Sequence, residues 1–401
     1  MTDAVIVDAV RTPGGKRNGK LSGWHPVDLA AETLKALAER NNLDPALVDD
    51  VIMGCVMQVG NQGLNVGRNA VLAAGWPESV PATTIDRQCG SSQQSAHFGA
   101  QGVMAGAYDI VVAAGVEVMS TTPMGASITP GSFPFGPKAM ARYADVEYYG
   151  KKGMQGQGIG AEAIADKWGL SREDLDELAL RSQQNAARAR DEGRFDNELV
   201  HVKAMPRDKE TGNLIETDEI VTSDEGIRDS SMEGLAKLKP AFLPEIGKVT
   251  AGNSSQITDG ASAMLIMSAE KAKELGLKAR ARFHSFSVVG VDPVTMLTGP
   301  IPATQKVLDR AGLSIDDIDL FEVNEAFASV VAAWQQEYDV PWEKVNVNGG
   351  AIALGHPLGC SGAKLMATLL NELERTGGRY GLQTMCEGGG LANGTIIERL
   401  D

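Results

Sequence analysis

In Asp86-Arg87-Gln88-Cys89-Gly90-Ser91-Ser92 a cysteine stands where a short strand gives way to a helix. The first turn of a helix carries unpaired N–H groups and the positive end of the helix dipole, and both favour a thiolate. The placement suits a nucleophile, and Gly90 with the small polar residues behind it lets a substrate come close; the plainer alternative is a small residue packing a strand–helix elbow. In Gly355-His356-Pro357 a histidine sits on a constrained backbone inside the turn-rich run 346–359. It is a candidate base for activating a cysteine, with a capped loop histidine as the alternative. The remaining four, His25, His97, His201 and His284, have no such setting and are read as structural. Cys386 ends a strand, and Glu387-Gly388-Gly389-Gly390 follows. Bare backbone there can face a developing oxyanion, and carbon–carbon chemistry beside a thioester needs an acid and a base besides the nucleophile; a strand ending in a flexible turn explains the same residues more simply. Asn324, in Val323-Asn324-Glu325-Ala326-Phe327-Ala328, is placed to orient a water, donate to an oxyanion or cap the next helix. Glu325 is read as orienting its neighbours, and Cys55 and Cys360 as packing.

Such groups meet only if the chain brings distant segments together. Short apolar runs alternate with helix-length amphipathic segments, which predicts a sheet with crossover helices. Strands are expected at 4–10, 51–56, 83–86 and 110–114, and helices at 27–40, 66–74 and 89–107. From 119 to 250 the pattern loosens into Ser, Thr, Pro, Gly and Met, then glycine-rich 150–160, a helix at 171–193 and a charged stretch, which reads as an inserted, partly helical subdomain. Alternation resumes at 281, with strands at 281–289, 320–323, 380–386 and 395–399 and helices at 301–311, 326–338 and 360–376. Cys89 and Gly115 are 26 residues apart, as are Cys360 and Cys386. The second block thus repeats the first, and two similar halves, each with its own sheet, are expected.

The 401 residues allow two or three globular units at about 150 residues each. A hydrophobic fraction of 43% and a charged fraction of 22% exclude disordered, collagenous and coiled-coil classes. Net charge of −15 argues against nucleic acid and anionic lipid as partners. The initial apolar run is too short to span a membrane. Four cysteines are too few for a disulfide scaffold and no signal sequence is recognisable, so a reducing cytoplasm is expected. No C-x-x-C or H-x-x-x-H spacing suggests a metal, and Gly156-Gln157-Gly158-Ile159-Gly160 follows no strand, as a dinucleotide fingerprint requires. The composition departs from the ordinary in glycine, with 46 residues, about 11% against an average near 7%.

Together the segments resemble the thiolase family over nearly the whole chain. The motifs are Asp8-Ala9-Val10-Arg11-Thr12-Pro13, Cys89-Gly90-Ser91, Gly252-Asn253-Ser254-Ser255 with Asp259-Gly260-Ala261, Asn324-Glu325-Ala326-Phe327, Gly355-His356-Pro357 and Cys386-Glu387-Gly388-Gly389. The resemblance implies a five-layered α-β-α-β-α fold of two similar halves with a loop domain over the acyl-CoA. The corresponding division is 1–119 for the N-terminal half with Cys89, 120–250 for the loop domain, 251–280 for the return to the N-terminal core and 281–401 for the C-terminal half with His356 and Cys386. It also implies roles. Cys89 takes the acyl group from a 3-ketoacyl-CoA, His356 activates it, and Cys386 handles the proton on the acetyl-CoA carbon. Asn324, through a water, and His356 hold the thioester oxygen, and the N–H groups of Cys89 and Gly388 hold the acyl-enzyme oxygen. Arg228 and Ser255 match positions near the adenosine and pantetheine parts of CoA, Ala326 and Phe327 are expected along the pantetheine tunnel, and Lys237 and Lys239 are read as surface charge. CoA is a co-substrate and no cofactor or metal is implied; the partners are acyl-CoA and CoA, in a homodimer or homotetramer. One departure stands out. Members preferring acetoacetyl-CoA carry a His-Met pair where this chain reads Gly156-Gln157, which points to a longer or bulkier acyl chain.

The activity so implied is thiolytic cleavage of a 3-ketoacyl-CoA by CoA, or the reverse condensation, through an acyl-Cys89 intermediate. Two alternatives stand beside it. A decarboxylating ketoacyl synthase-type enzyme of the same superfamily generally uses a second histidine where this chain has Cys386, and a non-catalytic acyl-CoA-binding protein has no need of an activated thiol.

Overall fold

Residues 2–132, 134–208 and 210–400 are described by the computed structural model. The strands that build the core are β1 (Ala4–Arg11), β2 (Asp50–Gly54), β3 (Ala82–Ile85), β4 (Ile110–Val118), β5 (Thr258–Ser268), β6 (Ala281–Gly290), β7 (Leu320–Val323), β8 (Tyr380–Glu387) and β9 (Leu391–Arg399). The principal helices are α1 (Pro26–Arg40), α2 (Ser91–Met104), α3 (Gln157–Lys167), α4 (Arg172–Asp191), α5 (Pro300–Ala311), α6 (Ala328–Tyr338) and α7 (Ser361–Thr376).

Every residue of β1 is buried, because the strand is covered on both faces. Val5, Val7 and Val10 join one apolar cluster with Leu29, Leu34 and Leu37 of α1, whereas Ala4, Ile6 and Ala9 face a second cluster with Ala96, Ala100, Met366 and Leu370 from α2 and α7. The phase slips by one residue at the register shift between Ile6 and Asp8. Helices α2 and α7 pack on each other between the two halves, with α1 outside the first and α5 outside the second. This gives five layers.

The strand order β7-β8-β9-β6-β1-β5-β4-β2-β3 displays the repeat. Outward from the centre, β1, β5, β4 and β2 pair in the same sense as β6, β9, β8 and β7, with the last pair of each set parallel. The expectation of a separate sheet for each half needs one correction. Val5 with Arg282 and Ile6 with Ala281 join β1 to β6, so the half-sheets meet at a short seam.

Between β4 and β5 the chain leaves the sheet, forms α3 and α4 against α6, and adds two short hairpins. A buried cluster fastens this excursion to β1. The Arg11 guanidinium donates to Glu198 Oε1 at 2.6 Å and to both oxygens of Asp224 at 2.8 and 3.1 Å. Two elements that the apolar runs do not announce are α3 and the eleven-residue β5, which lies at the centre of the sheet.

Candidate active site

Cys89 sits on a tight elbow just before α2. Asp86 Oδ1 accepts the Gln88 N–H at 2.6 Å, and the Ser91 hydroxyl donates to Gln88 O at 2.6 Å while accepting the Arg87 N–H at 3.0 Å. These bonds hold Gln88 at φ +49°, an uncommon backbone for a residue with a side chain. The backbone N–H groups of Cys89 and Gly388 and the side-chain amide of Gln157 favour its thiolate, while burial, the larger influence, and Glu387 push the thiol up to about 12. Burial thus opposes the thiolate that the helix end favours, and the thiol calls for a base. Burial also holds the Glu387 carboxyl itself well above the carboxylate range.

His356 has the form of that base. Its N–H donates to Gln256 O at 3.1 Å and Thr258 Oγ1 at 3.2 Å. The Ser361 hydroxyl spends its only hydrogen on Pro357 O at 2.8 Å, so at 2.5 Å it accepts from His356 Nδ1–H. The lone pair is left on Nε2, where the Asn324 amide Nδ2 approaches at 3.4 Å. Burial, with the Lys364 cation in support, pushes the imidazole down to about 3, so it is neutral and proton-accepting over the physiological range.

Asn324 does not cap a helix. The first residue of α6 is Ala328, its cap position is Phe327, and the Asn324 N–H instead donates to Thr384 O at 3.0 Å beside Cys386. Asn324 Oδ1 is buried and, among the described residues, without a partner. Glu325 holds Ser182 Oγ at 2.6 Å, Asn346 Nδ2 at 3.0 Å and the Ile352 N–H at 3.1 Å, which stiffens the segment leading to His356. Cys386 is buried at the end of β8, and its thiol is pushed well above the usual range by burial first, then by Cys89 and Glu387. A thiol that keeps its proton at neutral pH can give it away. Cys55 and Cys360 are also buried.

Gly388 therefore stands with Cys89 and Cys386, and Asn324 stands with His356. The CoA candidates divide. The Ser255 N–H donates to Ala326 O at 3.0 Å, Ser254 pairs with Phe327, and Phe327 meets Phe242 edge-on at 6.0 Å, so Ser255, Ala326 and Phe327 form one wall. Arg228 lies farther out, in a cleft of about 300 Å³ that also includes Ser231, Leu235 and Gly252 and runs toward Ser255 along the chain. Arg190 lines the adjoining cleft with Arg228. Lys237 is exposed and paired with Glu233 at 2.6 Å.

Residue types and spacing did not single out Ser361, Glu387 or Glu117. Glu117 accepts the N–H groups of Val56 and Met57 at 2.9 and 3.1 Å, Gln62 Nε2 at 2.6 Å and, from the opposite half, the Gly359 N–H at 2.9 Å. It fixes the His356 loop against the first half. A lone carboxylate in the otherwise apolar run 110–119 was a readable signal of a buried, fully bonded acid. Among the described residues no group of His, Cys, Asp and Glu is arranged to hold a metal ion.

The model of the thiolase N-terminal domain matches residues 4–270, and that of the thiolase C-terminal domain matches residues 277–399. The chain belongs to the thiolase family. A steroid 3-ketoacyl-CoA thiolase of Mycobacterium tuberculosis is 52% identical over 401 residues, covering 100% of this chain and 95% of that relative. A 3-ketoacyl-CoA thiolase of Aliivibrio fischeri is 47% identical, with both chains covered in full. Among solved thiolase-fold structures, the Bacillus anthracis acetyl-CoA acetyltransferase superposes with a TM-score of 0.87 at 38% identity, covering 100% of this thiolase and 99% of that chain.

Proposed function

We propose that this thiolase is an acyltransferase that cleaves 3-ketoacyl-CoA with CoA, and runs the reverse condensation, by a ping-pong mechanism. His356 Nε2 takes the Cys89 proton as the sulfur attacks the 3-keto carbon. The new oxyanion falls to the N–H groups of Cys89 and Gly388, which already favour the thiolate of that sulfur. Cleavage of the C2–C3 bond leaves the acetyl-CoA enolate, whose oxygen is held by His356 and Asn324, and Cys386 delivers its proton to C2. Incoming CoA returns a proton to Cys386 and attacks the acyl-Cys89 thioester; the departing Cys89 sulfur recovers its proton from His356. The observation that carries this reading is the place of Gly388, just past the Cys386–Glu387 end of β8, where a side chain would start 2.8 Å from Oε1 of Gln88, the residue before Cys89.

The segment 120–250 is read as the cover over acyl-CoA, with Arg228 and Ser255 along the nucleotide and pantetheine arm. We assign it a bulky or long acyl group. The name of the mycobacterial relative supports this, and so does Gly156, next to the Gln157 that reaches Cys89: nothing lies within 4 Å of where a side chain would start. The protein is further read as a cytoplasmic homodimer or homotetramer. Strand β3 is a sheet edge, and the nearby Leu64, Leu72 and Phe98 expose apolar surface that a second copy would cover. Among the described residues no helix is long and apolar enough to cross a membrane.

A panel of 3-ketoacyl-CoA substrates decides the acyl group. Long-chain or steroid side-chain thioesters are expected to exceed acetoacetyl-CoA in kcat/KM by about tenfold, the discrimination a few buried methylenes provide. A preference for acetoacetyl-CoA contradicts the assignment.

A further inference from the structure

Lys364 is a buried cation, 3% exposed, one helical turn beyond Ser361 on α7. Its ammonium donates to Leu354 O at 2.6 Å and Gly355 O at 3.2 Å. Those carbonyls belong to the two residues directly before His356. Gly355 has φ +81°, and a side chain there would start 2.1 Å from Thr258 Oγ1, so the loop has no slack on its other side. One face of α7 therefore holds the catalytic histidine twice, Ser361 at the ring and Lys364 at the backbone that enters it.

No carboxylate pairs directly with Lys364 among the described residues, although charged groups surround it. Asp224, Glu198 and the opposing Arg11 approach from the excursion and β1, Cys360 from the start of the helix, and Glu322 from β7. Burial lowers the ammonium to about 8, so it is charged at and below neutral pH. The same charge disfavours a proton on His356.

We infer that Lys364 is a positioning residue for the reaction: it pins the Leu354 and Gly355 carbonyls that set the His356 ring, and its charge adds to the burial that leaves that ring free to accept the Cys89 proton. The inference rests on the assignment of His356 as the base. Sign follows directly. Removing the cation makes protonated His356 easier to form, so the acid limb of kcat/KM moves to higher pH.

Steady-state pH profiles of Lys364→Gln, Lys364→Met and Lys364→Arg, with His356→Ala beside them, test it. K364Q removes the charge and keeps an amide N–H donor on a side chain one atom shorter; its acid limb is expected to rise by about one pH unit. K364M loses donors and charge, and kcat is expected to fall about 100-fold with KM for the acyl-CoA within about threefold, as for a misplaced catalytic group. K364R is expected to keep the acid limb in place. An unmoved limb in K364Q overturns the inference, as does a K364M enzyme with wild-type kcat; should K364M not fold, K364Q and K364R decide. His356→Ala separates the two levels: if it turns over normally the base assignment itself fails, whereas an inactive H356A with an unshifted K364Q defeats only the role of Lys364.

Discussion

At the residue scale the proposed reaction runs through neutral groups held ready to exchange protons. Cys89 and Cys386 are thiols at neutral pH because burial outweighs their hydrogen bonds, and His356 is an unprotonated imidazole for the same reason. Charge then develops only as the reaction proceeds, where donors are already in place. The two cysteines can be separated by experiment. Cys386→Ala should lower thiolysis of a 3-ketoacyl-CoA by about 10²- to 10⁴-fold, the contribution of a positioned acid or base, while iodoacetamide still alkylates Cys89 at the wild-type rate. Turnover within tenfold of wild type would remove Cys386 from the proton path. The types of these residues were legible in the sequence, since a cysteine at a strand–helix elbow and a histidine between glycine and proline announce themselves. Their protonation was not, because the helix end that favours a thiolate is read from local sequence and the burial that opposes it comes from the other half of the molecule.

At the element scale, strands and helices with long apolar or amphipathic runs were readable, and two others were not. Strand β5 begins Thr258-Asp259-Gly260-Ala261-Ser262-Ala263, too small and polar for an apolar run, yet both faces are buried. Helix α3 opens Gln157-Gly158-Ile159-Gly160, which lowers its intrinsic propensity. Tertiary packing requires those glycines: side chains would start 2.2 Å from the Phe242 ring at Gly158 and 2.5 Å from Thr295 O at Gly160. The excursion that contains α3 depends on the buried Arg11 cluster. Arg11→Met leaves Glu198 and Asp224 buried without their cation, and urea denaturation should show a loss of about 3–5 kcal/mol. A loss below about 1 kcal/mol would mean that the excursion is held elsewhere.

At the scale of the whole molecule, two halves of like topology put their central helices back to back, so that Cys89 of the first half comes close to Cys386 of the other. The equal 26-residue spacings made the repeat legible. The seam between β1 and β6 involves only two residue pairs and left no trace in the sequence pattern. Nor did the links between halves, such as Glu117 holding Gly359, because the partners are 242 positions apart. Part of the glycine excess has its reason in this arrangement: side chains would start 2.2 Å from Gly359 O at Gly115 and 2.1 Å from Gln93 N at Gly362, where backbones of the two halves approach. The covalent acyl-enzyme is the claim on which the account turns. Intact-mass measurement after mixing with a 3-ketoacyl-CoA in the absence of free CoA should show a mass increase equal to the shortened acyl group, mapped to Cys89, reversed by added CoA and absent from Cys89→Ala. Full CoA-dependent cleavage by Cys89→Ala, or acylation at another residue, would contradict it.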